Sequence, residues 1–549
     1  MRTRFTISIQ QLNPVMGDIA GNRAMAARAV KAAGAVDLVA FTELFITGYP
    51  PEDLILKPAF VTAAMDAVKA LAAECADGPA IAIGTPWQAD GKRTNAVAVL
   101  KGGEVIAVRH KVHLPNYDVF DEKRVFDAGE MPGPVDIDGV RIGFPICEDI
   151  WEDDVCECLA ETGAEILVVP NGSPYTRDKQ DRRMQVAVAR VVESELPMVY
   201  VNQVGGQDEL VFDGASFVLS SARTLEVQLP AFVEAAATVT MERSGDGFRP
   251  VRGPLAALPT LEASEWAASM LGLRDYVGKN GFPGIVLGLS GGIDSAICAA
   301  IAVDALGADK VHCIMMPYRY TSGDSLSDAA GVAERLGVRY DTVPIAPAVE
   351  GMNEQLAPLF AGRAPDLTEE NIQSRIRGAT LMAVSNKFGA MVVTTGNKSE
   401  VSVGYATLYG DMNGGYNPIK DLYKTEVFRL CRWRNGARPE GALGPEGVVV
   451  PERIIDKPPT AELRENQRDD DSLPPYDVLD AILRRLIEDE ASIAEVVAEG
   501  HEEAVVRRVD HLLHIAEYKR RQAAPGVKIS RKNFGRDRRY PITNRYRDA

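Results

Sequence analysis

Gly284-Ile285-Val286-Leu287-Gly288-Leu289-Ser290-Gly291-Gly292-Ile293-Asp294-Ser295 is the stretch that decides the fold. The apolar run Gly284 to Leu287 reads as a buried strand, and Ala296 to Leu306 reads as a helix stopped by Gly307. A strand, a Gly-rich turn and a helix N-terminus form a phosphate cradle. The glycines let backbone N–H groups approach an oxyanion, and the helix dipole adds positive potential. Ser290 and Ser295 can donate hydroxyls. Asp294 cannot favour a bare phosphate, so it calls for a bridging divalent cation. The lysine-bearing loop G-x-x-x-x-G-K-[ST] is absent. Spacing alone also fits an ordinary strand-to-helix turn.

From residue 261 the pattern runs strand, helix, strand, helix. Strands are expected at 285–289, 310–316, 340–345 and 390–395, and helices at 294–306, 325–336 and 370–387. That order predicts an α/β unit with a doubly wound parallel sheet and ligands at the strand C-terminal edge. The string Ser-Gly-Gly-x-Asp-Ser in this setting resembles the ATP-pyrophosphatase loop of amide-forming synthetases.

A chain of 549 residues is too long for one core, so two or more domains are expected. Hydrophobic content of 46% and charged content of 25% are ordinary for a globular protein. A net charge of −17 argues against general nucleic-acid binding. Met1-Arg2-Thr3-Arg4-Phe5 runs straight into an alternating strand pattern, so no signal peptide is expected. No apolar stretch is long and uncharged enough to span a bilayer. The seven cysteines are odd in number and scattered, which predicts reduced thiols and a cytoplasmic protein. Cys156 and Cys158, near Cys147, lack partners at zinc spacing.

In the first half, strands are expected at 4–11, 37–41, 80–84, 139–144, 165–169 and 198–203, with a hairpin of 95–101 and 104–109 around Gly102-Gly103. Helices are expected at 57–75 and 180–195, and an Ala-rich one between the first two strands. The Gly/Pro-rich segment Gly245 to Pro259 reads as a linker. The expected domains are therefore 1–255 and 256–549.

Three reactive side chains lie just past strand ends in the first domain: Glu43, Lys111 and Cys147. Strand C-termini converge in α/β folds, so the three are expected in one cleft. Singly, each is as readily a core thiol or a solvated charge. Together they would make chemistry. Cys147 would be the nucleophile, activated as a thiolate by a base and a nearby cation. Glu43 would move its proton, and Lys111, with the backbone N–H after Cys147, would hold the oxyanion. His113 reads as structural.

Glu43, Lys111 and Cys147, with Asp149 and Trp151, resemble the nitrilase-like carbon–nitrogen hydrolases over roughly residues 4–245. The resemblance implies a four-layer α-β-β-α sandwich. In glutamine-using members, residues matching Tyr117, Ser173 and Lys179 hold the glutamine. Lys179 suits its carboxylate, and Tyr117 and Ser173 supply hydrogen bonds.

Polar clusters in the second domain fall at the expected sheet edge: Glu370 to Arg377, Thr394 to Glu400, Gly410 to Asn417 and Lys457 to Leu463. With the Gly-rich loop they resemble the synthetase domain of the NAD synthetases, a Rossmann-like ATP-pyrophosphatase fold. The resemblance implies that ATP adenylates the carboxylate of deamido-NAD, pyrophosphate leaves, and ammonia displaces AMP. By it, Gly288, Leu289, Ser290, Gly291, Gly292, Ile293, Asp294 and Ser295 hold ATP phosphates, with Thr395, Lys424 and Thr460 as further ATP contacts. Asn371, Glu400 and Lys519 match positions near deamido-NAD. Asp294 and Glu400 are the magnesium candidates. Leu408 stands where ammonia-using relatives tend to have lysine.

The acidic string Asp469 to Tyr476 is expected as a mobile cover, although spacing alone fits a solvated loop. From Lys519 to Ala549, eleven Lys/Arg stand against two Asp, a basic excess suited to phosphates.

The two halves complement each other: one releases ammonia from glutamine, and the other needs ammonia to amidate. Free ammonia is mostly protonated at neutral pH, so transfer inside an enclosed tunnel is expected. The combination resembles the glutamine-dependent NAD synthetases and implies glutamine, ATP and deamido-NAD as substrates, magnesium as cofactor, and a homo-oligomer without nucleic acid or membrane. The competing readings are another glutamine-fed ATP-pyrophosphatase amide ligase and a non-catalytic nucleotide sensor. Intact Glu43, Lys111 and Cys147 oppose the latter.

Overall fold

The computed structural model describes residues 2–245, 247–465, 467–546 and 548. The chain divides into two units, Met1–Thr260 and Leu261–Ala549.

The first unit is built on strand alternation. Phe5, Ile7 and Ile9 of strand Arg4–Gln11 point one way, into a core shared with Val97 and Val99 and with Ile142, Val168, Val199 and Val201. Those residues come from two different sheets, so the sheets face each other. One sheet has the order Gly247–Pro250, Ala235–Ser244, Arg4–Gln11, Leu38–Ala40, Ala80–Ala89, Lys92–Lys101, Glu104–His110. The other has Leu225–Gln228, Phe217–Leu219, Met198–Asn202, Ile166–Asn171, Val140–Gly143, Val135–Ile137. The opposite alternation packs helices outside. Val39, Phe41, Ile81 and Ile83 meet helices Ile19–Ala33 and Pro58–Glu74. Leu167, Val169 and Tyr200 meet helices Asp154–Glu161 and Lys179–Ser194. This is the four-layer α-β-β-α sandwich.

Two differences from the sequence reading stand out. Part of the expected linker, Gly247–Pro250, is an edge strand paired with Ala235–Ser244. Strand Ala235–Ser244 in turn pairs antiparallel along the whole of Arg4–Gln11, which ties the end of the unit to its start.

The second unit opens with helix Leu261–Lys279, where the pattern from 261 was expected to begin with a strand. Its sheet is fully parallel, in the order Arg339–Thr342, Val311–Met315, Ile285–Gly288, Met391–Val392. The chain steps outward twice from Ile285–Gly288 and then returns to its other side. The crevice at that reversal lies over the Gly-rich loop. The last strand has two residues rather than the six expected; beyond it Val393 still donates its N–H to Val286 at 2.9 Å and also bridges Tyr416. Helices Ala346–Leu356 and Leu367–Phe388 cover the sheet face bearing Val286, Ile314 and Val392. A helical cluster of Tyr476–Ile487, Ile493–Ala498 and Glu503–Ile515 completes the unit around Leu479, Leu483 and Val506. Among the described residues no helix is long and apolar enough to cross a membrane.

Candidate active sites

In the first unit, Glu43 sits in the turn after strand Leu38–Ala40. Gly84 makes that turn possible. A Cβ there would lie 2.2 Å from the Leu44 nitrogen and 2.3 Å from the Thr42 carbonyl oxygen, so strand and turn approach too closely for any side chain. Lys111 follows strand Glu104–His110 and its backbone N–H donates to Asn95 at 2.8 Å. Cys147 opens a 3-10 turn, Cys147–Ile150, with φ at +47°, a left-handed conformation costly for a residue with a Cβ. Asp149 holds this turn against the Lys111 loop. Its carboxylate accepts the N–H of Ile146 at 2.9 Å, of Val112 at 3.0 Å and of His113 at 2.8 Å.

The fold therefore brings the three expected residues into one electrostatic cluster. The Lys111 ammonium is fully buried and donates to Glu43 at 2.7 Å. Glu43 also accepts from the Asn95 amide at 2.7 Å and from the Gly172 N–H at 2.9 Å. A fourth member, Glu122, was not singled out from the sequence. It accepts from Lys111 at 2.9 and 3.0 Å and from the Tyr49 hydroxyl at 2.8 Å. Burial pushes the Glu122 carboxyl up to about 7, against the pull of Lys111. Burial alone would lower Lys111, but Glu122 and Glu43 outweigh it and hold the ammonium well above its ordinary value.

The surroundings of Cys147 act on its thiol in opposite directions. Burial first, and the charge of Glu43 second, raise its thiol well above its ordinary value, while Lys111 only partly opposes them. If Cys147 attacks as a nucleophile, a base must take its proton as it does so.

Around this cluster lie the three expected glutamine residues. Tyr117 donates its hydroxyl to Glu148, the neighbour of Cys147, at 2.9 Å. Lys179 lies 4.3 Å from the Trp151 ring centroid, and burial lowers it to about 8, helped by Arg183. Ser173 is buried and its N–H donates to Asn202 at 3.0 Å. His113 pairs with Asp154 at 2.7 Å, a tie between a loop and a helix start.

In the second unit every residue of helix Ile293–Leu306 is buried except Asp294, which turns into a cavity of about 310 Å³. Gly291, at φ +84°, passes so close to Ser325 that a Cβ would lie 2.3 Å from its carbonyl oxygen. The cavity is lined by the Gly-rich loop together with Thr395, Glu400, Lys424, Thr460 and Asp469. Lys424 reaches both carboxylates: it contacts Asp294 and lies 3.3 Å from Glu400. Burial raises Glu400 to about 8, an effect Lys424 opposes and Asp294 reinforces. Burial works against the Lys424 charge, but Asp294 and Glu400 hold it above its ordinary value.

Asn371 and Lys519 do not line this cavity. Asn371 accepts from Thr407 at 2.9 Å, and Lys519 donates to the Gly404 and Ala406 carbonyls at 2.7 Å. Both grip the 404–411 loop, whose Tyr405, Ala406, Gly410 and Asp411 do reach the cavity. Asp469, from the acidic string, is buried against Tyr476 at 2.8 Å rather than solvated. Basic residues of the tail are taken up internally: Arg520 and Arg521 pair with Glu517, Lys528 with Asp537, and Lys532 with Glu490.

Residues 6–245 match the carbon-nitrogen hydrolase family, and residues 265–523 match the NAD synthase family. The chain is 56% identical to the glutamine-dependent NAD(+) synthetase of Rhodobacter capsulatus, covering 100% of both chains. It is 41% identical to a solved glutamine-dependent NAD+ synthetase of Acinetobacter baumannii in complex with ADP, with a TM-score of 0.79 over 98% of this chain and 99% of that one. A solved Cytophaga hutchinsonii relative, 24% identical, shares the fold with a TM-score of 0.83 over 99% and 98% of the two chains.

Proposed function

The chain belongs to the glutamine-dependent NAD(+) synthetases, and from that premise we propose how its own residues divide the work. The reaction hydrolyses glutamine to ammonia, adenylates deamido-NAD with ATP, and amidates the adenylate to NAD(+). It is a carbon–nitrogen ligation with glutamine as nitrogen donor.

The observation that carries the glutaminase assignment is the fully buried Lys111 ammonium held between Glu43 and Glu122 beside Cys147. Glu43 takes the Cys147 proton as sulfur attacks the amide carbon. Lys111 stabilises the oxyanion in a site where burial strengthens its field. Glu43 returns the proton to the leaving ammonia and then activates the water that cleaves the thioester. Tyr117, Ser173 and Lys179 hold the amino-acid end of glutamine.

In the second unit, the N–H groups of Gly288 to Ser295 hold ATP phosphates at the helix N-terminus, with Thr395, Lys424 and Thr460 as further contacts. A carboxylate oxygen of deamido-NAD attacks the α-phosphorus, pyrophosphate departs, and ammonia displaces AMP. Asn371 and Lys519 act on deamido-NAD through the 404–411 loop that they hold, and Glu400 faces it from the cavity wall. Lys424 touches Asp294 and Glu400 together, so both carboxylates face one point and accept positive charge there. That donor set fits magnesium, which when bound with ATP supplies charge neutralisation for the departing pyrophosphate. Ammonia passes from the first site to the second without release as ammonium. All seven cysteines are free thiols, in keeping with a reducing cytoplasm; a homo-oligomeric state is checked by sedimentation.

The test replaces Cys147 by Ala. Glutamine should then fail as nitrogen donor while ammonium salts still support NAD(+) formation. Retained glutamine-dependent synthesis would overturn the assignment.

A further inference from the structure

Beneath Ser173 lies a buried ion pair that the roles above do not use. Arg183 is fully buried and all three of its guanidinium nitrogens are committed. Nη1 donates to both oxygens of Asp213, at 2.7 and 2.9 Å. Nη2 donates to the carbonyls of Ser173 at 2.7 Å and Pro174 at 3.0 Å. Nε donates to the Ser173 hydroxyl oxygen at 3.0 Å. A guanidinium donates and never accepts, so the Ser173 oxygen must be the acceptor in that last bond.

We infer that Arg183 is a positioning residue that fixes the polarity of Ser173, turning its hydroxyl into a hydrogen-bond donor for the α-carboxylate of glutamine. This rests on the reading of Ser173 as part of the glutamine pocket. The Asp213 clamp prevents Arg183 from turning away, and the two carbonyl bonds fix the Ser173-Pro174 turn. With a lone pair of Ser173 engaged, its proton is left for an acceptor. The buried Tyr200 hydroxyl has no hydrogen-bond partner and is an electrostatic neighbour of Ser173. A carboxylate is a better acceptor than a phenol. Lys179 and Arg183 sit four residues apart on helix Lys179–Ser194, hence on one face. Lys179 supplies charge at the pocket, and Arg183 acts one layer below through Ser173. The α-amino group of glutamine, which needs acceptors, is not served by this pair.

The experiment compares Ser173→Ala, Arg183→Lys and the double variant, with glutamine and with 4-aminobutanamide, which keeps the amide but lacks the α-carboxylate. A lysine at 183 retains charge but cannot serve Asp213, two carbonyls and Ser173 at once. Ser173→Ala should raise KM for glutamine about tenfold, as loss of a hydrogen bond to a charged group does. Arg183→Lys should raise it about fivefold or more with kcat within about twofold, and should add less than about twofold in the Ser173→Ala background. With 4-aminobutanamide, each variant should stay within about twofold of the parent. Equal losses on both substrates, or full additivity of the two changes, would show Arg183 to be structural cement only. An unchanged KM for glutamine in Ser173→Ala would overturn the pocket reading itself, a separate result. Thermal unfolding monitors folding. If lysine at 183 prevents it, Asp213→Asn, which only loosens the clamp on Nη1, should give the same substrate-selective pattern at about two- to fivefold; a loss on both substrates overturns the inference.

Discussion

Replacing Lys111 by Ala tests the proposed glutaminase site most severely, because the proposal gives that side chain two separable tasks. The first is catalytic. Loss of one preorganised oxyanion donor lowers kcat by about 10²–10³, or about 2.7–4 kcal/mol. The second is electrostatic. Lys111 is 0% exposed and is the cation between Glu43 and Glu122. Removing one partner of a buried pair costs about 3–5 kcal/mol when the survivor stays charged. Glu122 lessens that cost, since burial already holds it near 7 and it can take up a proton. The sign of the pH dependence follows. The folded value of Glu122 lies above its ordinary 4.5, so folding favours its protonated form. Stability is full below the ordinary value and is lost as pH rises through the folded one. Without Lys111 that folded value climbs further, so the stability deficit of the variant should grow from pH 5 to pH 8. Glutamate release gives the rate, and thermal unfolding at several pH values gives the stability. A rate within tenfold of the parent, or a Tm deficit that shrinks as pH rises, would refute the reasoning.

Lys179, lowered by burial to about 8, loses its charge as pH rises through that value. The kcat/KM for glutamine should therefore fall above about pH 8, and Lys179→Arg should move that limb upward, as a pH–rate profile would reveal. Asp294→Asn and Glu400→Gln should each lower NAD(+) formation by about a hundredfold or more with either nitrogen source, since each removes a carboxylate from the proposed cation site; normal synthesis by both variants would discard that site. Chelation by EDTA should stop synthesis and added magnesium restore it. Gly291→Ala should raise KM for ATP by about tenfold or more, because φ +84° and a 2.3 Å approach to Ser325 leave no room for a methyl group. A crystal structure of that variant would show whether the loop has moved.

Local pattern was enough for the Gly-rich loop: an apolar strand, a turn and a helix lie within one short stretch, and each is encoded by its own residues. Glu43, Lys111 and Cys147 were legible because each lies just past a strand end, although their meeting depends on sheet order. Glu122 was not, since nothing near it distinguishes it from a surface acid; only its contact with Lys111 and Tyr49 gives it a role. Arg183 was hidden for a similar reason. Its partners Ser173 and Asp213 lie 10 and 30 residues away. The upward push on the Cys147 thiol comes from burial, which a sequence does not print. The strands between Val204 and Pro250 were missed because most are only three or four residues long, too short for alternation to show. Asn371 and Lys519 matched a substrate pattern, yet neither lines the cavity; both bond the 404–411 loop that does.

The central claim is that one chain carries nitrogen from glutamine into NAD(+). Its most direct test supplies deamido-NAD, ATP, magnesium and glutamine labelled with nitrogen-15 in the side-chain amide, and reads the product by mass spectrometry. The account predicts NAD(+) one mass unit heavier, formed together with AMP, pyrophosphate and glutamate. Glutamate release with no labelled NAD(+) would contradict it.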